Sequence, residues 1–140
     1  MSGRKIKIPR AANRVAIFDF KELCEKEHGS MDFLAICRHF HSICLLNVPV
    51  INLNNRNVAR RFILFIDEMY NHKRRLYING EAPLNEMFVN PLDELTDEVF
   101  ALERCKSRLH EMQSQKYLDE ASHAHYPTHE GAAAKAHKSH

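Results

Sequence analysis

Residues 42–51 read SICLLNVPVI, residues 57–71 read NVARRFILFIDEMYN and residues 74–78 read RRLYI, and these three stretches decide the fold. The first is rich in apolar and β-branched residues and ends in the polar break at 52–55, which predicts a buried strand. The second sets Val58, Phe62, Phe65, Ile66, Met69 and Tyr70 along one side at helical spacing and leaves Arg60, Arg61, Asp67 and Glu68 largely outside. The third predicts another strand after a tight turn. Strand, helix and strand in this order form a βαβ unit, with parallel strands joined by a right-handed crossover.

Working outward, Arg4-Lys5-Ile6-Lys7-Ile8 alternates basic and apolar residues as a short edge strand would, ended by Pro9. Residues 15–18 predict a second short strand. Asp19 is placed to cap a helix over 20–27 with Phe20, Leu23 and Cys24 on one face, and Gly29 supplies a stop. Ser30 then caps a helix over 31–40 that carries Phe33, Ile36, Cys37 and Phe40. After an Asn79-Gly80 turn and Pro83, Thr96 caps a long helix with acidic Asp97 and Glu98 at its start and an apolar stripe of Val99, Leu102, Cys105, Leu109 and Met112. The expected fold is α/β: a small mixed sheet around the βαβ unit, two short N-terminal helices and a long C-terminal helix. Residues 1–120 form one domain, and 121–140, rich in His, Ala and Lys, read as a flexible tail.

The chain has 140 residues, enough for one core without staples, and 20 basic against 18 acidic residues give a formal charge of +2 that points to no class of partner. Four cysteines, in apolar or helical surroundings, favour reduced thiols. No apolar run is long enough to span a membrane. The acid-free stretch from Arg4 to Arg14 has the charge of a targeting presequence, but Pro9 interrupts any amphipathic helix there.

Cys24, His28, Cys37, His39, His41 and Cys44 supply soft and imidazole donors, yet their spacing fits neither a zinc ribbon nor a finger, and they are weak metal candidates. His123, His125, His129, His137 and His140 read as a solvated tail rather than a chelating tract. The chain has neither a G-x-x-x-x-G-K-[ST] loop nor a G-x-S-x-G elbow, so no catalytic residue and no cofactor is assigned. Asp67 and Glu68 are sequential on a helix and point apart, which rules out a paired acid and base. Arginines say more. Arg56, Arg60 and Arg61 at one end of the central helix, and Lys73, Arg74 and Arg75 at the other, concentrate positive charge, while Arg104 and Arg108 share a face of the last helix. An exposed basic surface paired to Asp67, Glu103 and Glu111 accounts for them, each pair contributing about half a kcal/mol or less. The alternative is a bidentate contact with phosphate or carboxylate from a partner. Nucleic acid ranks lower as that partner, because exposed aromatics are not interleaved with the basic residues.

Gly3-Arg4-Lys5-Ile6, Phe18-Asp19-Phe20-Lys21-Glu22-Leu23-Cys24, Asp32-Phe33-Leu34, Val48-Pro49, the run from Ala59-Arg60-Arg61-Phe62-Ile63 to Ile66-Asp67-Glu68-Met69-Tyr70, and the run from Glu103 to Ser114 stand in a recognisable order. Over about residues 3–118 the chain resembles the C-terminal half of the ZapE-type, or AFG-one-like, AAA+ ATPases. Asn79-Gly80 stands where the family has a small Ser-Ala pair, and Cys105 where it has Thr. The resemblance implies a Walker-type ATPase of protein quality control, mitochondrial in eukaryotes, whose phosphate-binding loop and acidic Mg²⁺ motif lie upstream of the matched region. Two functions are therefore expected. One is a non-catalytic interaction module, an accessory subunit bound to other protein subunits of a mitochondrial assembly, or of a cytoplasmic one. The other is a piece of a working ATPase that supplies Arg60, Arg61, Arg104 or Arg108 to ATP on another chain.

Overall fold

A computed structural model describes residues 10–89 and 96–123. Among these, strands β1 (Arg10–Ala12), β2 (Val15–Asp19), β3 (Ser42–Val48) and β4 (Arg75–Gly80) form a mixed sheet in the order β1-β2-β3-β4. Helices α1 (Phe20–Cys24) and α2 (Ser30–His39) connect β2 to β3, and α3 (Arg56–Asn71) connects β3 to β4. A short 3-10 helix (Leu84–Glu86), α4 (Asp97–Glu111) and α5 (Gln115–Ser122) follow. The fold is α/β, as the βαβ pattern predicts. β3 and β4 are parallel, and so are β2 and β3, which makes two consecutive crossover units rather than one. β1 is antiparallel to β2 through a turn in which Asn13 and Arg14 both have positive φ, the geometry whose twist suits a two-residue hairpin.

The sheet buries one face. Ala16, Ile43 and Leu76 stand side by side in the register, as do Phe18, Leu45 and Ile78, and these two rows meet the helices. Phe20 of α1 lies 5.8 Å from Phe62 of α3, and Phe33 of α2 lies 5.5 Å from Phe65, ring centre to ring centre, so α1, α2 and α3 share one layer. Phe62, Phe65, Ile66 and Met69 are fully buried in α3. Ala59 and Ile63 are buried too, which widens the predicted stripe, because α4 packs on a second side of α3.

Several boundaries differ from expectation. The predicted edge strand lies within residues 1–9, outside the described residues; the strand found on that side, β1, follows Pro9. Asp19 does cap α1: its side chain accepts from Lys21 N while Glu22 accepts from Asp19 N. That helix ends at Cys24 instead of 27. Gly29 opens α2 rather than closing α1; Asp32 reaches back to Gly29 N at 2.9 Å, so Ser30 is the first helical residue and not the cap. β3 stops at Val48, before Pro49. Asn79 and Gly80 are not a turn but the last residues of β4. A register shift between Leu45 and Val48, with Asn47 at φ 58°, carries Gly80 opposite Val48, where a Cβ would sit 3.3 Å from the Val48 carbonyl oxygen. The last helical run breaks at Met112, and Ser114 caps a separate α5 by accepting from Tyr117 N at 3.1 Å. Of the predicted tail, 124–140 lies outside the described residues.

Candidate functional site

α3 and α4 pack together, and both start near one end of their contact. Asn55 caps α3 through Val58 N, and Thr96 caps α4 through Val99 N. Asp97 and Glu98 in the first turn of α4 suit the positive end of its dipole. Between the two helices runs an open groove of about 520 Å³ with an apolar floor of Leu53, Ala59, Ile63, Leu64 and Ala101. Arg56, Arg60 and Arg104 line its rim, with Asp67, Asp97 and Glu98. Arg56 bridges to Glu98 at 2.8 Å across one end. Both side chains are well exposed, so this bridge adds little to stability.

The four candidate arginines divide into two pairs. Arg61 is half-buried and donates from Nη1 to the Cys24 carbonyl at 3.2 Å, tying the end of α1 to α3. Arg108 pairs with Asp67 of α3 and lies over the Tyr70 ring at 4.9 Å, while Tyr70 donates its hydroxyl to Glu111 at 2.9 Å. That hydrogen bond to Glu111 is the main cause that raises the Tyr70 phenol pKa. Arg61 and Arg108 thus hold helices together. Arg60 and Arg104 are exposed on the rim, and among the described residues neither has a hydrogen-bonding or ion-pair partner. One turn before Arg104 on α4, Phe100 is 55% exposed, an aromatic that no core stripe accounts for. Its place outside the apolar period of α4 is the sequence signal that would have singled it out.

The basic cluster expected at the far end of α3 is not all surface. Arg74 is 1% exposed, and its Nε donates to the Cys37 carbonyl at 2.6 Å. Its backbone carbonyl accepts from the Tyr117 hydroxyl at 2.7 Å. Tyr117 is itself buried, stacks at 6.1 Å on Tyr70 and also reaches the Met69 carbonyl at 3.2 Å. Lys73, at φ 55°, lies 5.0 Å from both ring centres and pairs with Glu120 at 3.1 Å. The sequence carries no signal for this tyrosine anchor, because it predicts one long C-terminal helix and no separate α5.

The weak metal candidates do not converge. Cys24 and Cys37 are fully buried; burial raises the Cys24 thiol pKa well above its usual value and pushes Cys37 up to about 12. The Cys37 thiol lies 3.7 Å from the Met69 sulfur. His28 and His39 each donate from Nδ1 to a backbone carbonyl, of Leu23 and Ala35, and His41 shares a 2.7 Å hydrogen bond with Ser42. Cys44 lies on a different face of the sheet from the core rows. Among the described residues no three His, Cys, Asp or Glu side chains are grouped to hold a metal ion. His123 donates to the Asp119 carbonyl, and His125, His129, His137 and His140 lie outside the described residues. No described helix is long and apolar enough to cross a membrane.

Comparison with known proteins adds the lineage. An uncharacterized protein of Schizosaccharomyces pombe is 28% identical over 139 residues, covering 83% of this chain and 31% of that protein. Lactation elevated protein 1 homolog B of Danio rerio is 32% identical over 144 residues, 84% of this chain and 29% of that protein. Cell division protein ZapE of Escherichia coli K12 is 38% identical over 106 residues, 76% of this chain and 27% of that protein. The chain therefore spans less than a third of the length of these relatives. No solved structure matches it. The AFG1-like ATPase family matches residues 1–121, nearly the whole chain, and with the α/β fold and the ordered motifs this makes the chain a member of the AFG1-like ATPase family.

Proposed function

We propose that this chain is an interaction module of an AFG1-like ATPase assembly, that its part of the family fold carries no ATP-hydrolysing site, and that it serves as an accessory subunit in mitochondria. The observation that carries this reading is the α3/α4 groove, an apolar floor with Arg60 and Arg104 exposed on its rim and Phe100 beside them. An aromatic anchor next to exposed arginines is the composition that concentrates binding energy at protein interfaces. Planar guanidinium forks there suit carboxylates on a partner segment. Exposure of Arg60 and Arg104 also keeps open the second reading, in which they reach the phosphates of ATP held by another chain, as trans-acting arginines do in phosphoryl transfer.

The test is recovery of the native complex on the tagged 140-residue chain, with wild type compared with Arg60→Glu/Arg104→Glu and the co-purifying chains identified. Loss of the same subunits from the double variant supports docking through the groove. Undiminished recovery at raised salt refutes it. Where a recovered chain is an ATPase, a drop in its kcat with Arg60→Ala, while subunit recovery is unchanged, selects the second reading. In both readings calorimetry of the isolated chain with ATP and Mg²⁺ gives no binding heat, since no Gly-rich loop is encoded.

A further inference from the structure

The helices α1, α2 and α3 lie against one face of the sheet, and the opposite face carries apolar residues in register. Ile17 of β2, Cys44 of β3 and Tyr77 of β4 are cross-strand neighbours, with Val15 in the row below on β2 and Leu46 above on β3. None of these five joins the hydrophobic core, and Tyr77 is 52% exposed. Such a face on a parallel sheet is anomalous: β2, β3 and β4 run parallel, and parallel sheets occur almost only with both faces covered. Here both crossovers supply the same layer.

We propose that this second face seats a layer of amphipathic helices from the part of an AFG1-like protein that lies outside the region matched by this chain. Three observations select that occupant. The matched relatives are more than three times longer than their matched region, so the family has chain to spare for a second layer, whereas this chain's own described helices are already committed. The row Ile17–Cys44–Tyr77 crosses two strand spacings of about 4.8 Å each, close to the roughly 10 Å diameter of one helix. Cys44, the smallest of the three, stands in the middle of the row, an order of sizes that suits a single ridge of side chains. This face lies across the sheet from α3, so the proposal does not rest on the arginine groove.

Cys44 is a built-in reporter, since Cys24, Cys37 and Cys105 are fully buried and Cys44 is not. The full chain is co-expressed with a separate polypeptide made of the part of Danio rerio Lactation elevated protein 1 homolog B outside its matched region, and the mixture is resolved by size exclusion. The expected result is a stoichiometric complex in which maleimide labelling of Cys44, followed by intact mass, slows by roughly tenfold or more relative to the free chain. Tyr77→Glu, at a position exposed enough to leave folding intact, abolishes co-elution; Ile17→Glu does the same, with its fold checked by far-UV circular dichroism. Arg60→Glu/Arg104→Glu leaves the Cys44 protection unchanged, which separates this face from the groove. Separate elution of the two polypeptides overturns the proposal, as does a complex in which Cys44 labels at its free rate. A dimer of the chain alone with Cys44 protected also overturns it and assigns the face to a second copy.

Discussion

Removing one oxygen atom from Tyr117 tests how the end of the chain is fixed. Tyr117 is 1% exposed, and its hydroxyl joins α5 to two backbone carbonyls, of Arg74 at 2.7 Å and Met69 at 3.2 Å. Burial pushes its phenol well above the ordinary range, so it remains a donor at any working pH. In Tyr117→Phe the Met69 carbonyl keeps the Arg74 N–H at 2.9 Å, while the Arg74 carbonyl loses its short partner. One lost buried hydrogen bond with one acceptor left short costs about 1–2 kcal/mol. Tyr117→Ala also removes the ring that stacks on Tyr70 and lies under Lys73, and costs about 3–5 kcal/mol. With an m value of about 1.5 kcal/mol/M for a domain of this size, the urea midpoint of Tyr117→Phe falls by roughly 1 M at unchanged m. Hydrogen exchange adds the location: amides of Gln115–Ser122 exchange faster in Tyr117→Phe, while those of α3 change only with global stability. An unchanged midpoint together with unchanged α5 exchange would refute the anchor.

Phe62→Ala empties a fully buried position between Phe20 and Phe88 and costs about 3–5 kcal/mol, whereas Arg60→Ala on the same helix changes the urea midpoint little; equal losses would mean that the helix phase is misread. A double-mutant cycle with Arg108→Ala and Asp67→Ala gives a coupling of about 0.5–1 kcal/mol that shrinks in high salt, because the pair is only partly buried; zero coupling at low salt would make the contact incidental. His41 has its pKa lowered, by burial first and then by the Arg75 charge. The unfolded chain therefore takes up this proton first: the contribution is whole above the unfolded value of about 6.5, declines as pH falls from there to the folded pKa, and is constant below it. His41→Asn should flatten that part of the urea-midpoint profile, and an identical slope in wild type and variant would assign it elsewhere.

Local chemistry made the core of the fold legible. The period of 3.6 in α3, the β-branched run of β3 and the Asp19 cap are short-range signals, and each matches an observed element. What escaped depends on partners distant in sequence. Gly80 looks like part of a turn until the bulge at Asn47 brings it opposite Val48. Arg74 reads as surface charge until the Cys37 carbonyl, 37 positions earlier, is beside it. The arginines of the candidate site were named together from sequence, yet only the packing of α4 on α3 sorts Arg108, held by Asp67, from Arg60 and Arg104 on the open rim.

Strand order along the sheet equals strand order along the chain, and this governs what a ribosome releases. Each new strand adds to the edge left by the previous one, so pairing advances from the amino end without waiting for distant segments. Until Arg75–Gly80 emerges, β3 presents Ile43, Cys44, Leu45 and Leu46 on an open hydrogen-bonding edge, which exposes the nascent chain to aggregation. A pause while α3 is emerging prolongs that exposure, and a pause after β4 has emerged does not.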